Sequence, residues 1–470
     1  MRALLLLLCL FSFLAASARA FTARSKLIRK LQLAARPGNK LPGKAVLLRE
    51  TLAGTVTALA TIPTSVAYAS VVGVSPLVGI WSSAVVGFFS AIVGREPGMI
   101  SAAAGVIAIP MAAVYKQHGE AYMLATLFLA GTMELLFGVL KLGTRLGLYC
   151  EDTCDLYEGS YITPPVIAGF MNAFGLFLVK SQYKLFRSFD PVTLVPSLAT
   201  ALATVVGIHF FPRVITGVPG SLMGLLFASV VSLSLKFPLL LLSEYAGPGV
   251  FTGGLSALPS LKLSPALFRS LFPGNKGVCD MLMIALPAAF GVALISILET
   301  AIAAEIAGNN FVTTLSSSSD PAAASSYLPH GNRVMVGLGV GNIASAFLGG
   351  FGGCGVIPNT QLNSRSGGRG LASSIAFSLA LAVAVVFAAP LIGRLPMAAL
   401  GGLMIQVAWN TIEWKENSEL IQKGLKNATG AVDLLALVVT TVVCIKKDMG
   451  FGVLSGVAVS KMGRLAVVNR

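Results

Sequence analysis

The sequence predicts an all-α polytopic membrane protein, and three observations carry that prediction. Hydrophobic residues make up 55% of the chain and charged residues 11%, with a mean hydropathy of +0.82. A soluble domain carries roughly 25% charged residues, and even a large one leaves about a quarter of its unfolded-chain surface exposed. Apolar runs of about 17–24 residues recur without period-two alternation, which is the pattern of bilayer-spanning helices and not of barrel strands. These runs fall into two sets of seven, separated by a polar connection over 243–280 that is rich in Gly and Pro.

The N-terminus reads as targeting sequence. Arg2 precedes an apolar stretch too short to span a bilayer, and Ala18-Arg19-Ala20 fits the small-x-small cleavage pattern, so 1–20 is a predicted signal peptide. Residues 21–44 are basic, acid-free and transit-like. A signal followed by Phe21 and a basic stretch resembles the bipartite presequence of algae with complex plastids, which implies a plastid envelope. A plain secretory signal, or an amphipathic arm on a protein of the plasma membrane or another endomembrane, is the alternative. Basic flanks prefer the inner side, and a second import step reconciles the basic segment with a cleaved signal. Residues 1–49 hold ten Lys or Arg and no acid, leaving 24 basic against 19 acidic residues elsewhere. The +15 net charge is therefore mainly N-terminal, and without an aromatic-interleaved basic patch no nucleic-acid partner is expected.

The membrane region covers 45–465, with 466–470 as a short tail. Its first half has expected spans at 46–66, 70–93, 99–115, 121–141, 161–179, 192–211 and 219–242. Its second has them at 281–304, 334–350, 354–366, 371–390, 396–411, 431–445 and 449–463. Seven is odd, so the halves have opposite topology, a seven-plus-seven inverted repeat. Residues 313–326 read as a flexible low-complexity loop. Cys150 and Cys154 lie beside Glu151, Asp152 and Asp155 with no His nearby. A metal site needs about four ligands, so this is read as a polar loop, with a labile disulfide as the alternative; no metal or cofactor is expected.

The third span of each half is a poor ordinary helix. Residues 98–105 are small and follow Pro97, and 349–360 are far too Gly-rich to be helical throughout. Broken spans at matching positions point to a midplane binding site. A half-helix that starts inside the membrane aims free N–H groups and a positive dipole end at the gap between the halves, which suits an anion. Glycines that merely permit close helix packing are the plain alternative.

Five stretches carry a family resemblance. Residues 62–80 (IPTSVAYASVVGVSPLVGI), 93–105 (VGREPGMISAAAG), 163–170 (TPPVIAGF), 349–368 (GGFGGCGVIPNTQLNSRSGG) and 395–402 (LPMAALGG) resemble, in order, signature segments of the SulP anion permeases. The resemblance spans about residues 45–465. It implies core and gate domains, half-helices at spans 3 and 10 that hold an anion, an elevator-like motion and a homodimer. SulP proteins usually carry a cytoplasmic STAS domain after the last helix; the chain ends at Arg470, so none is expected.

By that resemblance the anion site takes Thr64, Ser65 and Tyr68 from the first helix. It takes Ser101, Ala102 and Ala103 from the third-helix start, and Val356, Asn359 and Thr360 from the tenth. Hydroxyl and backbone N–H groups satisfy an oxyanion strongly in a low dielectric. Where relatives often place Arg-Ser, this chain has Asn359-Thr360, so a fixed positive charge is missing. That suits a monoanion, or demands a co-transported cation. Glu299, deep in span eight, costs about 2.5–3.5 kcal/mol on insertion scales and so needs a role. Coupling to Na+ or H+ is expected there, with Ser296 and Thr300 beside it. Sodium-coupled bicarbonate relatives have Thr four places after the carboxylate, whereas this chain has Ala303, which leaves a proton relay open. Glu305 is expected at a helix end, Glu134 beside a basic residue, Arg365 and Arg369 at the membrane flank, and Asn172 and Asn342 as helix bridges.

The expected function is secondary transport of a small inorganic anion in a lipid membrane, bicarbonate before sulfate. Proton symport of sulfate and anion exchange are the alternatives within that class. A nucleobase carrier would want carboxylates on both core helices, and span ten has no Asp or Glu. A channel-like or non-transporting membrane protein is the alternative of another class. An enzyme is not expected, because three His residues and no nucleophile–base constellation leave no catalytic machinery.

Overall fold

The computed structural model describes residues 43–145, 163–214, 219–247, 249–251, 253–254, 259, 278–316, 331–447 and 449–468. The targeting segments of 1–42 lie outside these residues, as do Cys150, Cys154, most of the 243–280 connection and 317–330.

The first half gives α1 (Gly43–Val72), α2 (Pro76–Phe89), a two-residue strand β1 (Ser101–Ala102), α3 (Gly105–His118), α4 (Glu120–Val139), α5 (Pro164–Arg187), α6 (Pro191–Val214) and α7 (Gly220–Ser234). The second gives α8 (Val278–Ser316), α9 (Gly331–Phe347), β2 (Cys354–Gly355), α10 (Ile357–Arg365), α11 (Leu371–Ile392), α12 (Met397–Thr411), α13 (Ala428–Lys446) and α14 (Met449–Val468). Every expected span therefore has its helix. Eight of the described helices are long and apolar enough to cross a bilayer.

The boundaries that moved have local causes. α1 runs to Val72 because Pro63 sits inside it without ending it. α2 instead starts at Pro76, whose missing N–H fits a first turn. α2 ends in one π-turn over Ser90–Gly94, closed by Arg95 in the left-handed region. α7 stops at Ser234, short of the expected 242, where left-handed Lys236 turns the chain. Leu241 then pairs with Pro396. Glu305 is not at a helix end, since α8 continues to Ser316. Trp414–Gly424 is an additional, strongly amphipathic helix between α12 and α13.

Packing follows the repeat. α1 packs on α11 as α8 packs on α4, and α2 on α11 as α9 on α4. Likewise α5 meets α13 as α12 meets α6, and α6 pairs with α7 as α13 with α14. Each pair maps onto its counterpart when seven is added to or taken from its helix numbers. Two bodies result: α1–α4 with α8–α11, and α5–α7 with α12–α14. Fewer contacts cross between them, chiefly α1 with α12 and α7, and α8 with α14. The larger apolar core surrounds the two strands, with Ile107, Met111, Leu127, Leu338 and Phe351 fully buried around them.

Candidate anion and cation site

The site is built where the two broken spans meet. β1 and β2 pair antiparallel, Ser101 opposite Gly355 and Ala102 opposite Cys354. Val356 N–H extends the ladder to Ile100 O at 2.9 Å. Antiparallel pairing makes α3 and α10 leave the ladder in opposite directions, so their N-termini converge on one region. The Gly run permits this closeness. Gly352 has φ +89°, and a Cβ on Gly353 would lie 2.3 Å from Ala102 O.

Neither half-helix has a side-chain cap; Ala104 and Val356 are the N-cap residues. Thr360 N–H is bonded to Val356 O, and Ile107 and Ala108 N–H to Ala104 O. That leaves the N–H groups of Gly105 and Val106 on α3, and of Ile357 and Asn359 on α10, without an acceptor among the described residues. Four such donors at two positive dipole ends make a candidate anion cradle, of a kind that needs no cationic side chain.

The structure shifts the expected third-helix contacts. Ser101, Ala102 and Ala103 precede the helix, and α3 begins at Gly105. Ser101 is buried and its hydroxyl bonds Ser90 at 2.9 Å. Ala102 sits in the ladder, and Ala103 N–H donates to Ser83 Oγ at 3.0 Å. Ser65 is fully buried on Ser83 at 2.7 Å, bracing that junction. Thr64 donates back to Thr61 O. Tyr68 lies beside the start of α3. Its ring and that of Phe174 on α5 flank Gly105, where a Cβ would come within 2.7 Å of both.

On the other half-helix, Val356 and Asn359 are half-buried at the start of α10. Thr360 is fully buried and accepts the Ile100 N–H at 3.1 Å, tying α10 to the lead of β1. Asn363, which no sequence signal singled out, bonds Gly98 O at 3.0 Å and Ser373 at 2.9 Å. Thr64 and Thr360 thus bond the backbone, while Ser65 and Ser101 bond other hydroxyls.

Glu299 stands beside the cradle. Cys354 Sγ donates to its Oε2 at 2.9 Å, and Thr300, one residue on, accepts the Gly355 N–H at 2.8 Å. Glu299 also lines a cavity of about 240 Å³ with Phe170, Met171, Ile357 and Glu413. Outside the membrane spans, Glu413 is pushed up from the ordinary carboxylate range by burial first and by Glu416 second. A second cavity, of about 260 Å³, opens between α1 and α12 and carries Lys116 and Lys184. Ser296 is fully buried one turn before Glu299, and its hydroxyl has no partner at hydrogen-bond distance.

Glu134 has no salt-bridge partner among the described residues, contrary to expectation; its Oε2 accepts from Asn342 at 2.7 Å. Asn342 also bonds Gly353 N–H at 2.9 Å and Gly353 O at 3.0 Å, so it does bridge helices. Asn172 bridges as well, to Asn417 at 2.7 Å. At the membrane flank, the Glu50 carboxylate accepts the N–H groups of Arg369 and Gly370 at 2.9 and 2.8 Å, holding the turn that leads into α11. No group of metal-binding side chains occurs among the described residues.

Known proteins share the architecture. Residues 47–428 match the sequence profile described as the Sulfate permease family. YbaR of Bacillus subtilis (strain 168), provisionally a sulfate transporter by name, is 26% identical over 90% of this chain and 78% of its own length. The bicarbonate transporter BicA of Picosynechococcus sp. is also 26% identical, over 88% of this chain and 70% of its own. The solved transmembrane domain of a cyanobacterial BicA superposes with a TM-score of 0.64 at 24% identity, covering 88% of this chain and 97% of that one.

Proposed function

The chain belongs to the Sulfate permease family of membrane anion transporters, and from that premise we propose that it carries bicarbonate, coupled to a cation through Glu299. The family's members transport anions and are not enzymes. Relatives named for sulfate and for bicarbonate are equally similar at 26%, so the choice rests on charge at the cradle.

Each half-helix end is equivalent to about half an elementary charge. Two ends give about +1, and no Lys or Arg stands in β1, β2 or the first turns of α3 and α10. This matches a monoanion. A dianion would leave one charge uncompensated in a low dielectric, where an unpaired ion is costly. Glu299 sharpens the argument: ionised, it cancels the cradle's charge, and with a proton or sodium ion bound it restores it. The cation therefore loads first, and the bicarbonate follows.

The test is uptake of labelled bicarbonate and labelled sulfate into vesicles carrying the full chain, with and without imposed sodium or proton gradients. Bicarbonate is expected to be driven by one of the gradients and to suppress sulfate uptake. Sulfate uptake that excess bicarbonate leaves unchanged would overturn the proposed substrate.

A further inference from the structure

We propose that Glu134 is a second proton-binding carboxyl of the transport cycle, and that its proton sets the geometry of the anion cradle through Asn342 and Gly353. The inference rests on the coupled-transport reading above and extends it to a residue away from Glu299.

Glu134 is fully buried in the C-terminal half of α4. Its Oε2 accepts from Asn342, but its Oε1 is buried with no partner at hydrogen-bond distance. Ser296 of α8 faces the same carboxyl, its buried hydroxyl close enough to interact with it but short of a full hydrogen bond. Ser296 can hydrogen-bond one oxygen of an ionised Glu134, but the charge itself has no cationic partner among the described residues, and an uncompensated charge in the membrane interior is costly. A metal cation would need several more oxygens, and the Asn342 oxygen is already occupied by Gly353 N–H. One proton suffices. On Oε1 it makes a neutral acid whose O–H donates to Ser296 Oγ while Oε2 keeps its bond from Asn342. Oε1 and Ser296 Oγ are then paired, and no bare charge is left inside.

Asn342 transmits the state of this carboxyl. The same amide that donates to Glu134 clamps Gly353 through its N–H and its C=O. Gly353 leads directly into β2, whose Cys354 bonds Glu299. An ionised Glu134 would demand donors from its surroundings and pull on that clamp; a neutral one leaves β2 locked to β1. The charged and titratable groups on neighbouring elements include Tyr115, Lys116 and His118 of α3, Arg145 just beyond α4, Glu299 and Glu305 of α8, Arg333 of α9, and Cys354 of β2. Of these, only Cys354 interacts electrostatically with Glu134, and it interacts with Glu299 as well. The two carboxyls therefore sit on either side of one thiol, in series along the wall of the cradle.

The experiment compares the wild-type full chain with Glu134→Gln and Ser296→Ala in proteoliposomes, using labelled bicarbonate and, in parallel, labelled sulfate. Gln mimics the neutral acid, with its amide N–H toward Ser296 and its C=O toward Asn342, so the variant is expected to fold. Uptake is read across pH, together with counterflow exchange, which needs no net proton movement, and the infrared C=O band of a protonated carboxyl. Glu134→Gln is expected to keep exchange, to lose one carboxyl band, and to flatten the pH slope of uptake by one proton, up to about tenfold per pH unit. Ser296→Ala should shift that band without removing it. A wild-type pH slope and an unchanged band in Glu134→Gln would overturn the inference while leaving the transport reading intact. Wild-type uptake indifferent to every imposed gradient would instead sink the coupled-transport reading on which it rests.

Discussion

Glu299 and Gly353 show how much a single position can carry. Glu299 has one hydrogen bond, from a thiol, and faces a cavity lined largely by apolar side chains. A carboxylate so weakly supported is poised to take up a cation. Glu299→Gln should assemble normally and yet lose gradient-driven uptake, by about tenfold or more for a forfeited interaction of at least 1.4 kcal/mol. Unchanged driven flux in that variant would refute the coupling role. Gly353 is the structural counterpart. A methyl group there would collide with Ala102 O at 2.3 Å. Gly353→Ala should therefore part β1 from β2, lowering thermal stability by the about 1–3 kcal/mol typical of overpacking and abolishing anion binding. A variant with wild-type melting and binding would show that the ladder tolerates slack.

Among the elements, the half-helices depend on braces that lie outside them. Glu50 of α1 accepts two backbone N–H groups ahead of α11 and thereby fixes the segment that leaves α10. Replacing it by Ala should cost about 1–3 kcal/mol, the usual worth of leaving polar groups without their charged partner, read as a lower melting temperature in detergent. The sequence made the helices themselves legible, because apolar length and broken spans are local signals. The strand pair was not legible, since β1 and β2 are two residues each and owe their pairing to partners far along the chain. For the same reason Ser101 to Ala103 were expected at the helix start, although α3 begins only at Gly105. Asn342 was expected as a helix bridge and is one, but Ser83 and Asn363 also act as braces, and nothing in one sequence sets them apart from other small polar residues in a span. The helix Trp414–Gly424 could have been found: Trp414, Leu420 and Ile421 share a face against Lys and Glu.

Over the whole molecule, two bodies meet along a thin seam with the cradle at its centre. Ala67 of α1 and Leu403 and Met404 of α12 form one small buried cluster across that seam. If transport moves the bodies past each other, cysteines placed at Ala67 and Met404 should, once oxidised, stop uptake while anion binding persists. Uptake that continues through a complete cross-link would show that the seam does not slide. The strand ladder has a consequence in time as well as in space. Ser101 pairs with Gly355, 254 positions further on. At about 5–20 residues per second, the ribosome needs roughly 13–50 s to supply the second strand after the first. Through that interval the first half is already in the bilayer with its third span unfinished, its free amide hydrogens awaiting a mate not yet synthesised. A nascent chain of this design has to be sheltered, by the insertion machinery or by its own neighbouring helices, until the later span arrives to close the pair.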